Sequence, residues 1–159
     1  MPDESPFGRD YLQARIVAEF SLARHIGVVV ERADDEGIVI AAPLVPNANY
    51  KGTAFGGSLF SVAVLTGWAW LTRYMDCARI AGDAVIQEST IRYLVPVHGA
   101  LRATLVRPDA ARVEKFARML RRARRGRIRL QVQIHEGRRL ATEFDGIYAA
   151  ALRGPGDVS

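Results

Sequence analysis

The spacing of apolar side chains predicts two helices in the first half of the chain. In residues 9–24, Leu12, Ile16 and Phe20 fall on one stripe at near-helical spacing, which is typical of a helix that packs on one face. Residues 58–74 are apolar on nearly every side and are interrupted only by small residues. We therefore expect the second helix to be buried on most of its circumference, with other elements wrapped around it.

Strand-like patterns account for most of the remaining chain. Residues 127–136 show the clearest one, because four aliphatic side chains alternate there with arginines and glutamines, as in a half-buried antiparallel strand. Pro108-Asp109 starts one further helix after the fourth strand. The predicted strands are residues 26–30, 38–42, 84–95, 99–106, 127–136 and 140–152.

One buried central helix with about six antiparallel strands predicts an α+β domain whose sheet curls around the helix, the hot-dog arrangement. We expect one such domain over residues 1–159, with its core in residues 26–152. A sheet of this kind leaves exposed edges, so pairing with a second copy is expected, as a homodimer or a dimer of dimers.

The composition indicates a folded protein, since 49% of the residues are hydrophobic and 25% are charged. The apolar stretch 59–71 is too short to span a membrane, and the first residues do not resemble a signal sequence, so a cytoplasmic location is the default expectation. With one cysteine, Cys77, and three scattered histidines, neither a disulfide framework nor a metal site is expected.

The stretch 46–58 carries the strongest functional signal, because its glycines lead directly into the N-terminus of the central helix. Free backbone N–H groups and the helix dipole converge at such a point. The N–H groups of Gly57 and Ser58 could there stabilise negative charge on a thioester oxygen. A simple glycine turn before a helix is the alternative interpretation.

This stretch also carries a resemblance to a known family. The chain is similar over residues 26–152 to the YiiD C-terminal-type thioesterases, in the motif PNANYKGTAFGGSLFSVAVLTGW and in the later strand STIRYLVPV. More distantly, its loop resembles the Asn-x-x-Gly-Thr-x-His-Gly-Gly loop of the phenylacetate-pathway hot-dog thioesterases, which hydrolyse acyl-coenzyme A. The residues that align with that loop are Asn49, Gly52, Thr53, Gly56 and Gly57.

Two positions depart from the wider pattern and affect the expected chemistry. Phe55 replaces the histidine, and Val64 stands where those enzymes carry an aspartate, so hydrolysis lacks its usual base. Decarboxylation of a malonyl thioester needs donors for the enolate oxygen more than it needs a base. The resemblance implies that reaction, on malonyl-acyl carrier protein at the start of fatty acid synthesis. A hydrolase and a non-catalytic acyl-thioester binding protein remain alternatives.

In this interpretation Asn49 binds the thioester oxygen or the substrate carboxylate, and Thr66 bounds the floor of the pocket. Asn49 could instead form a turn, and the Thr66 hydroxyl could bond within its own helix. Glu88 is the reserve base for hydrolysis, unless it pairs with Arg92. Coenzyme A or phosphopantetheine enters only as part of the substrate, with no separate cofactor. The remaining predicted substrate-binding residues are Asn47, which could instead shape the loop, Gly52, Thr53, Phe55, Gly56 and Val64.

The charge distribution points to an acidic partner. The net charge is +5 with a pI near 9.9, and residues 112–129 hold nine basic residues against the single acid Glu114. An acyl carrier protein or the phosphates of coenzyme A could dock on this face, and a merely solvated helix face is the alternative. Nucleic acid is not expected, because no aromatic residues interleave the arginines.

Overall fold

The computed structural model describes residues 5–154 and residue 156. In the described part of the chain, four α-helices and one 3-10 turn accompany a six-stranded sheet. The elements in chain order are α1 (Arg9–Glu19), α2 (Ser21–Ile26), β1 (Val29–Asp34), β2 (Gly37–Ala42), a 3-10 turn (Val45–Asn47), α3 (Gly56–Cys77), β3 (Gly82–Tyr93), β4 (Leu101–Val106), α4 (Ala110–Ala123), β5 (Arg125–Glu136) and β6 (Arg139–Leu152).

The sheet has the order β1-β2-β4-β5-β6-β3, and every neighbouring pair is antiparallel. The β1–β2 turn forms as the acidic sequence predicts, since the Asp34 carboxylate accepts hydrogen bonds from the N–H groups of Glu36 and Gly37 at 2.8 and 3.0 Å. Inward-facing side chains of the sheet form one hydrophobic core with α3, which contains Val62, Ala63 and Leu71 at 0% exposure. The predicted curled sheet around a central helix is confirmed.

A close approach between α3 and β6 fixes the position of the central helix. The hydroxyl of Tyr148 donates to the carbonyl of Val64 at 2.8 Å, and its ring lies directly against Gly67. A Cβ atom on Gly67 would stand 2.3 Å from the Tyr148 hydroxyl, so only glycine fits there. The glycine in the middle of this helix is therefore a packing requirement of the fold.

The N-terminal region differs from the expected single helix. The chain leaves helical geometry at Phe20 (φ −121°, ψ 100°), because its ring turns inward to pack edge-on against Trp68 at 4.8 Å. Gly27 then ends α2 in a left-handed conformation, which delays β1 to Val29 instead of residue 26.

The basic helix α4 forms as the sequence predicts, with Asp109 as its N-cap accepting a hydrogen bond from the N–H of Arg112 at 2.8 Å. Phe116 and Leu120 are its buried contacts with the core. The ring of Phe116 lies against Gly126 of β5 and beside Tyr74 of α3. Burial of this apolar stripe leaves the basic face of α4 toward solvent.

Candidate functional site at the start of the central helix

The loop before α3 is held to the rest of the protein by Asn47, which is 2% exposed. Its side-chain NH2 donates to the carbonyls of Ile26 and Pro43 at 2.8 and 2.7 Å, and its backbone carbonyl accepts from the N–H of Phe55 at 2.7 Å. Both amide hydrogens are thus used inside the protein. Asn47 shapes the loop, which is the alternative role that the sequence left open.

Asn49 builds a tight turn within the same loop and keeps one free donor. Its side-chain oxygen accepts from the N–H groups of Lys51 and Thr53 at 2.9 and 3.2 Å, and its amide donates to the Thr53 hydroxyl at 2.9 Å. Gly52 closes the turn in a left-handed conformation (φ 76°). Because an amide nitrogen carries two hydrogens, one N–H of Asn49 remains available to a ligand.

Helix α3 begins without a side-chain cap. Its N-cap residue is Phe55, whose ring is 56% exposed and supplies no acceptor. The N–H of Ser58 donates to the carbonyl of Phe55 at 3.0 Å, whereas among the described residues the N–H groups of Gly56 and Gly57 have no acceptor. Of the two predicted donors, Gly57 is available and Ser58 is already bonded.

Tyr93, at the end of β3, contacts this helix start and was not found in the sequence analysis. Its hydroxyl donates to the carbonyl of Gly56 at 2.9 Å, and a Cβ atom on Gly56 would lie 3.3 Å from its ring. Partial burial raises the pKa of Tyr93 above its usual value. Since this carbonyl and the N–H of Gly57 belong to one peptide group, the bond polarises that N–H.

The remaining predicted site residues lie away from the helix start. Thr66 is fully buried, and its hydroxyl donates to the carbonyl of Val62 at 2.8 Å. It follows Gly57 by nine residues, which places it about 13 Å along the helix axis and on the opposite side. Val64 follows Gly57 by seven residues, so it lies on the same side of α3 about 10 Å further along. It is half-buried, and its backbone carbonyl accepts from the Tyr148 hydroxyl. Thr66 thus has the within-helix bond that was its alternative interpretation.

Glu88 lies on β3, about 16 Å along the strand from Tyr93 within one chain. It is exposed, and the expected ion pair with Arg92 does not form, because Arg92 pairs with Glu143 of β6 at 3.2 Å. The β-bulge between Ile86 and Glu88 precedes both residues, so Glu88 and Arg92 stay on one face, and Arg92 pairs instead with Glu143, which lies directly opposite it on β6. Glu88 could reach the start of an α3 helix only from another copy of the chain.

Two further findings apply to the described residues as a whole and not only to this site. No helix of that part of the chain is long and apolar enough to cross a membrane, and no three of its His, Cys, Asp or Glu side chains are grouped as metal ligands would be. The three histidines are exposed, and His98 pairs with Glu136 at 3.3 Å near the β5–β6 end.

Comparison with solved structures gives the same fold over nearly the whole chain. A protein of unknown function from Chlorobaculum tepidum is 28% identical and superimposes with a TM-score of 0.86, covering 91% of this chain and 94% of that one. A putative thioesterase from Shewanella oneidensis is 27% identical with a TM-score of 0.80, covering 91% and 97%. The PaaI protein of the Escherichia coli phenylacetic acid degradation operon, at 17% identity, 92% and 94% coverage and a TM-score of 0.61, shares the fold.

These likenesses confirm the hot-dog fold predicted from the buried helix and the antiparallel strands. The model of one protein family, described as putative thioesterase of the yiiD C-terminal type, matches residues 9–152. That range contains all four α-helices described above, the whole sheet and the loop of Asn49. The chain therefore belongs to the yiiD C-terminal-type putative thioesterase family.

Proposed function

We propose that this protein decarboxylates a malonyl thioester, in the form of malonyl-acyl carrier protein, to the acetyl thioester. The observation that carries the proposal is the start of α3, where the N–H groups of Gly56 and Gly57 have no acceptor among the described residues and the surrounding segment of sequence has no carboxylate or imidazole. Residues 43–71 contain no Asp, Glu or His, so this segment supplies oxyanion donors but no group that could activate water.

In the proposed reaction the bond between the malonyl methylene carbon and its carboxylate breaks, and CO2 leaves. The electron pair moves onto the thioester carbonyl, whose oxygen becomes an enolate oxygen that accepts hydrogen bonds from the Gly57 N–H and the free N–H of Asn49. The positive end of the α3 dipole favours the same charge. Water then protonates the methylene carbon, which yields the acetyl thioester with its sulfur bond intact.

Asn49 offers a sharp test because its two roles can be separated. Asn49→Asp keeps the side-chain oxygen that accepts from Lys51 and Thr53, lets the Thr53 hydroxyl donate to the new carboxylate, and removes the free N–H donor. We expect decarboxylation to fall by about 100-fold or more, as when one oxyanion donor is lost, while the protein stays folded. Tyr50→Asp, at a 93% exposed neighbour, controls for the added charge. Full activity of Asn49→Asp would contradict the proposal.

We further propose that the working form is a homodimer joined along β3. The edge strand β1 is covered within the chain, because the amide of Gln13 donates to the carbonyl of Val28 at 3.0 Å and accepts from the N–H of Val30 at 2.6 Å. The twelve-residue strand β3 forms the other edge, and among the described residues no strand pairs with its outer side. A second copy that pairs here would cover the open edge. Sedimentation equilibrium measures the mass directly.

Thioester hydrolysis is the second candidate function, and it depends on that dimer. Glu88 lies near the middle of β3, so strand pairing would bring it close to the other copy. A carboxylate supplied across the dimer could orient water for attack on the thioester carbonyl. If free carrier thiol is released by the wild type and Glu88→Gln abolishes that release, hydrolysis is the function. For either reaction, we expect the protein to encounter its acyl thioester substrate in the cytoplasm.

A further inference from the structure

A surface groove of about 770 Å³ lies between the beginning of β3 and the C-terminal half of α4. Its lining is mostly apolar, with small side chains on β6 and longer ones from α4 and β3 at the sides. The residues that line it are Asp83, Val85, Gln87, Met119, Ala123, Arg125, Gly126, Arg127, Ala149, Ala150 and Ala151. The groove therefore offers an apolar surface next to two guanidinium groups.

The cations around this groove are available for an external partner. Within the described part of the chain the side chains of Arg125 and Arg127 make no hydrogen bond or ion pair, and Asp83, the groove's carboxylate, is held by Arg153 at 2.7 Å. The side chains of Lys115, Arg121 and Arg122 are likewise without a partner among the described residues. By contrast, three neighbouring arginines are paired, namely Arg112 with Asp109, Arg118 with Glu114 and Arg129 with Asp145.

An apolar groove bordered by unpaired cations is complementary to an acidic protein surface that also has apolar residues. A free nucleotide would use the arginines but leave the alanines and Val85 uncovered. The occupant that satisfies both is an acidic, amphipathic segment of a protein. An acyl carrier domain has that character, and it brings its own tethered thioester.

The groove lies at the far end of β3 from the candidate site of its own chain. From Val85 to Tyr93, which holds the start of α3, the strand rises by about 26 Å. If β3 pairs antiparallel with a second copy about its midpoint, the beginning of one β3 lies beside the end of the other. The two strands are then only about 5 Å apart. The β3 residues of one groove thus lie beside the Tyr93 end of β3 in the other subunit.

We propose that this groove docks an acidic acyl carrier protein and that the docked carrier delivers its thioester to the α3 start of the second subunit. The inference rests on the proposed function and on the β3 dimer, and it adds the docking residues and the direction of delivery. Arg125 and Arg127 lie on β5, two strands inward from β3, where they contact the carrier and not its thioester. Their effect is therefore confined to substrates that bring a carrier domain.

The docking part is tested with the double variant Arg125→Glu/Arg127→Glu. A matched control is Arg138→Glu/Arg139→Glu, which reverses two exposed charges at the opposite end of β5. For the groove variant we expect the KM for malonyl-acyl carrier protein to rise about tenfold or more, with turnover of malonyl-pantetheine unchanged. The control should alter neither. A groove variant that behaves like the control would overturn the docking site.

The direction of delivery is tested with purified heterodimers of two differently tagged subunits. In the first, one subunit carries the groove variant and the other carries Asn49→Asp. In the second, one subunit carries both changes and the other is wild type. At carrier concentrations well below KM, delivery between subunits predicts about half of the wild-type rate for the first heterodimer and about one twentieth or less for the second, because each dimer has two sites. The reverse result, or a protein that is monomeric at assay concentrations, would refute delivery between subunits.

Failure of the proposed function would be distinguishable from failure of this inference. If the wild type converted neither malonyl-acyl carrier protein nor malonyl-pantetheine, decarboxylation would be wrong. Titration of fluorescently labelled holo-acyl carrier protein would still report on the groove. Binding that the Arg125/Arg127 variant weakens and the Arg138/Arg139 control leaves unchanged supports docking, and equal binding by all three proteins contradicts it.

Discussion

Replacing Tyr93 by phenylalanine removes a single hydroxyl that supports the proposed oxyanion donor. The ring keeps its contact with Gly56, and only the 2.9 Å hydrogen bond to the Gly56 carbonyl is lost. Because that carbonyl shares a peptide group with the Gly57 N–H, the N–H becomes a weaker donor toward an enolate oxygen. The charge on that oxygen develops only during the reaction, so kcat should fall and KM should stay nearly constant.

The expected loss in kcat depends on how far water can replace the lost hydrogen bond. A neutral hydrogen bond contributes about 0.5–1.5 kcal/mol, which corresponds to a two- to tenfold loss in kcat. Since Tyr93 is 52% exposed, water partly replaces the lost hydroxyl, and the lower half of this range is expected. The unfolding free energy should fall by about 1 kcal/mol or less.

The assay compares steady-state turnover of malonyl-acyl carrier protein by the wild type, Tyr93→Phe and Tyr50→Phe. Tyr50→Phe is the control, because Tyr50 is exposed and its hydroxyl has no hydrogen-bond partner in the described part of the chain. Partial burial raises the pKa of Tyr93 above its ordinary value, so its hydroxyl remains a donor at neutral and mildly alkaline pH. The pH–rate profiles of wild type and Tyr93→Phe should therefore have the same shape. An unchanged kcat, or a loss confined to KM, would refute the positioning role.

Three further changes test the core and the choice of reaction. Gly67→Ala should lower the unfolding free energy in urea by about 1–3 kcal/mol, because its Cβ would meet the Tyr148 hydroxyl at 2.3 Å, whereas Gly99→Ala, with open space around it, should be near neutral. Burial raises the pKa of Tyr148, so the neutral phenol stabilises the fold below pH 10, and the unfolding free energy falls by about 1.4 kcal/mol per pH unit above it. Chemical denaturation between pH 9 and 11 should show a smaller fall in unfolding free energy for Tyr148→Phe than for the wild type. An equal fall in both proteins would contradict this assignment. Val64→Asp should introduce thioester hydrolysis, measured as release of free thiol, because it supplies a carboxylate on α3. If the wild type already hydrolyses thioesters well and the variant shows no gain, the claim that apolar Val64 leaves α3 without a base for hydrolysis is wrong.

Local pattern was sufficient for most of the fold. The alternation in β5 and the apolar circumference of α3 predict a half-buried strand and a wrapped helix, because each depends only on which faces meet water. The break at Phe20 was missed, since it depends on the distant ring of Trp68. The start of β1 was missed because Gly27 continues α2 to a left-handed end. Both errors come from tertiary contacts that a local window does not contain.

The glycines indicate the candidate site in the sequence, whereas the hydrogen bonds of its polar side chains depend on the folded loop. Spacing places Asn47 and Asn49 in one loop, and only the structure shows that both side-chain N–H groups of Asn47 are bonded whereas one of the two in Asn49 has no acceptor among the described residues. The contact of Tyr93 with Gly56 joins positions 37 residues apart, so no motif could reveal it. A tyrosine that ends a strand beside a glycine-rich helix start is the signal to examine in related chains.

The most direct test of the proposed reaction is intact-protein mass spectrometry of malonyl-acyl carrier protein after incubation with the purified wild-type protein. Decarboxylation predicts a loss of CO2 from the carrier, so that acetyl-acyl carrier protein accumulates with its thioester intact. Appearance of free carrier thiol without an acetyl intermediate would contradict decarboxylation and establish hydrolysis.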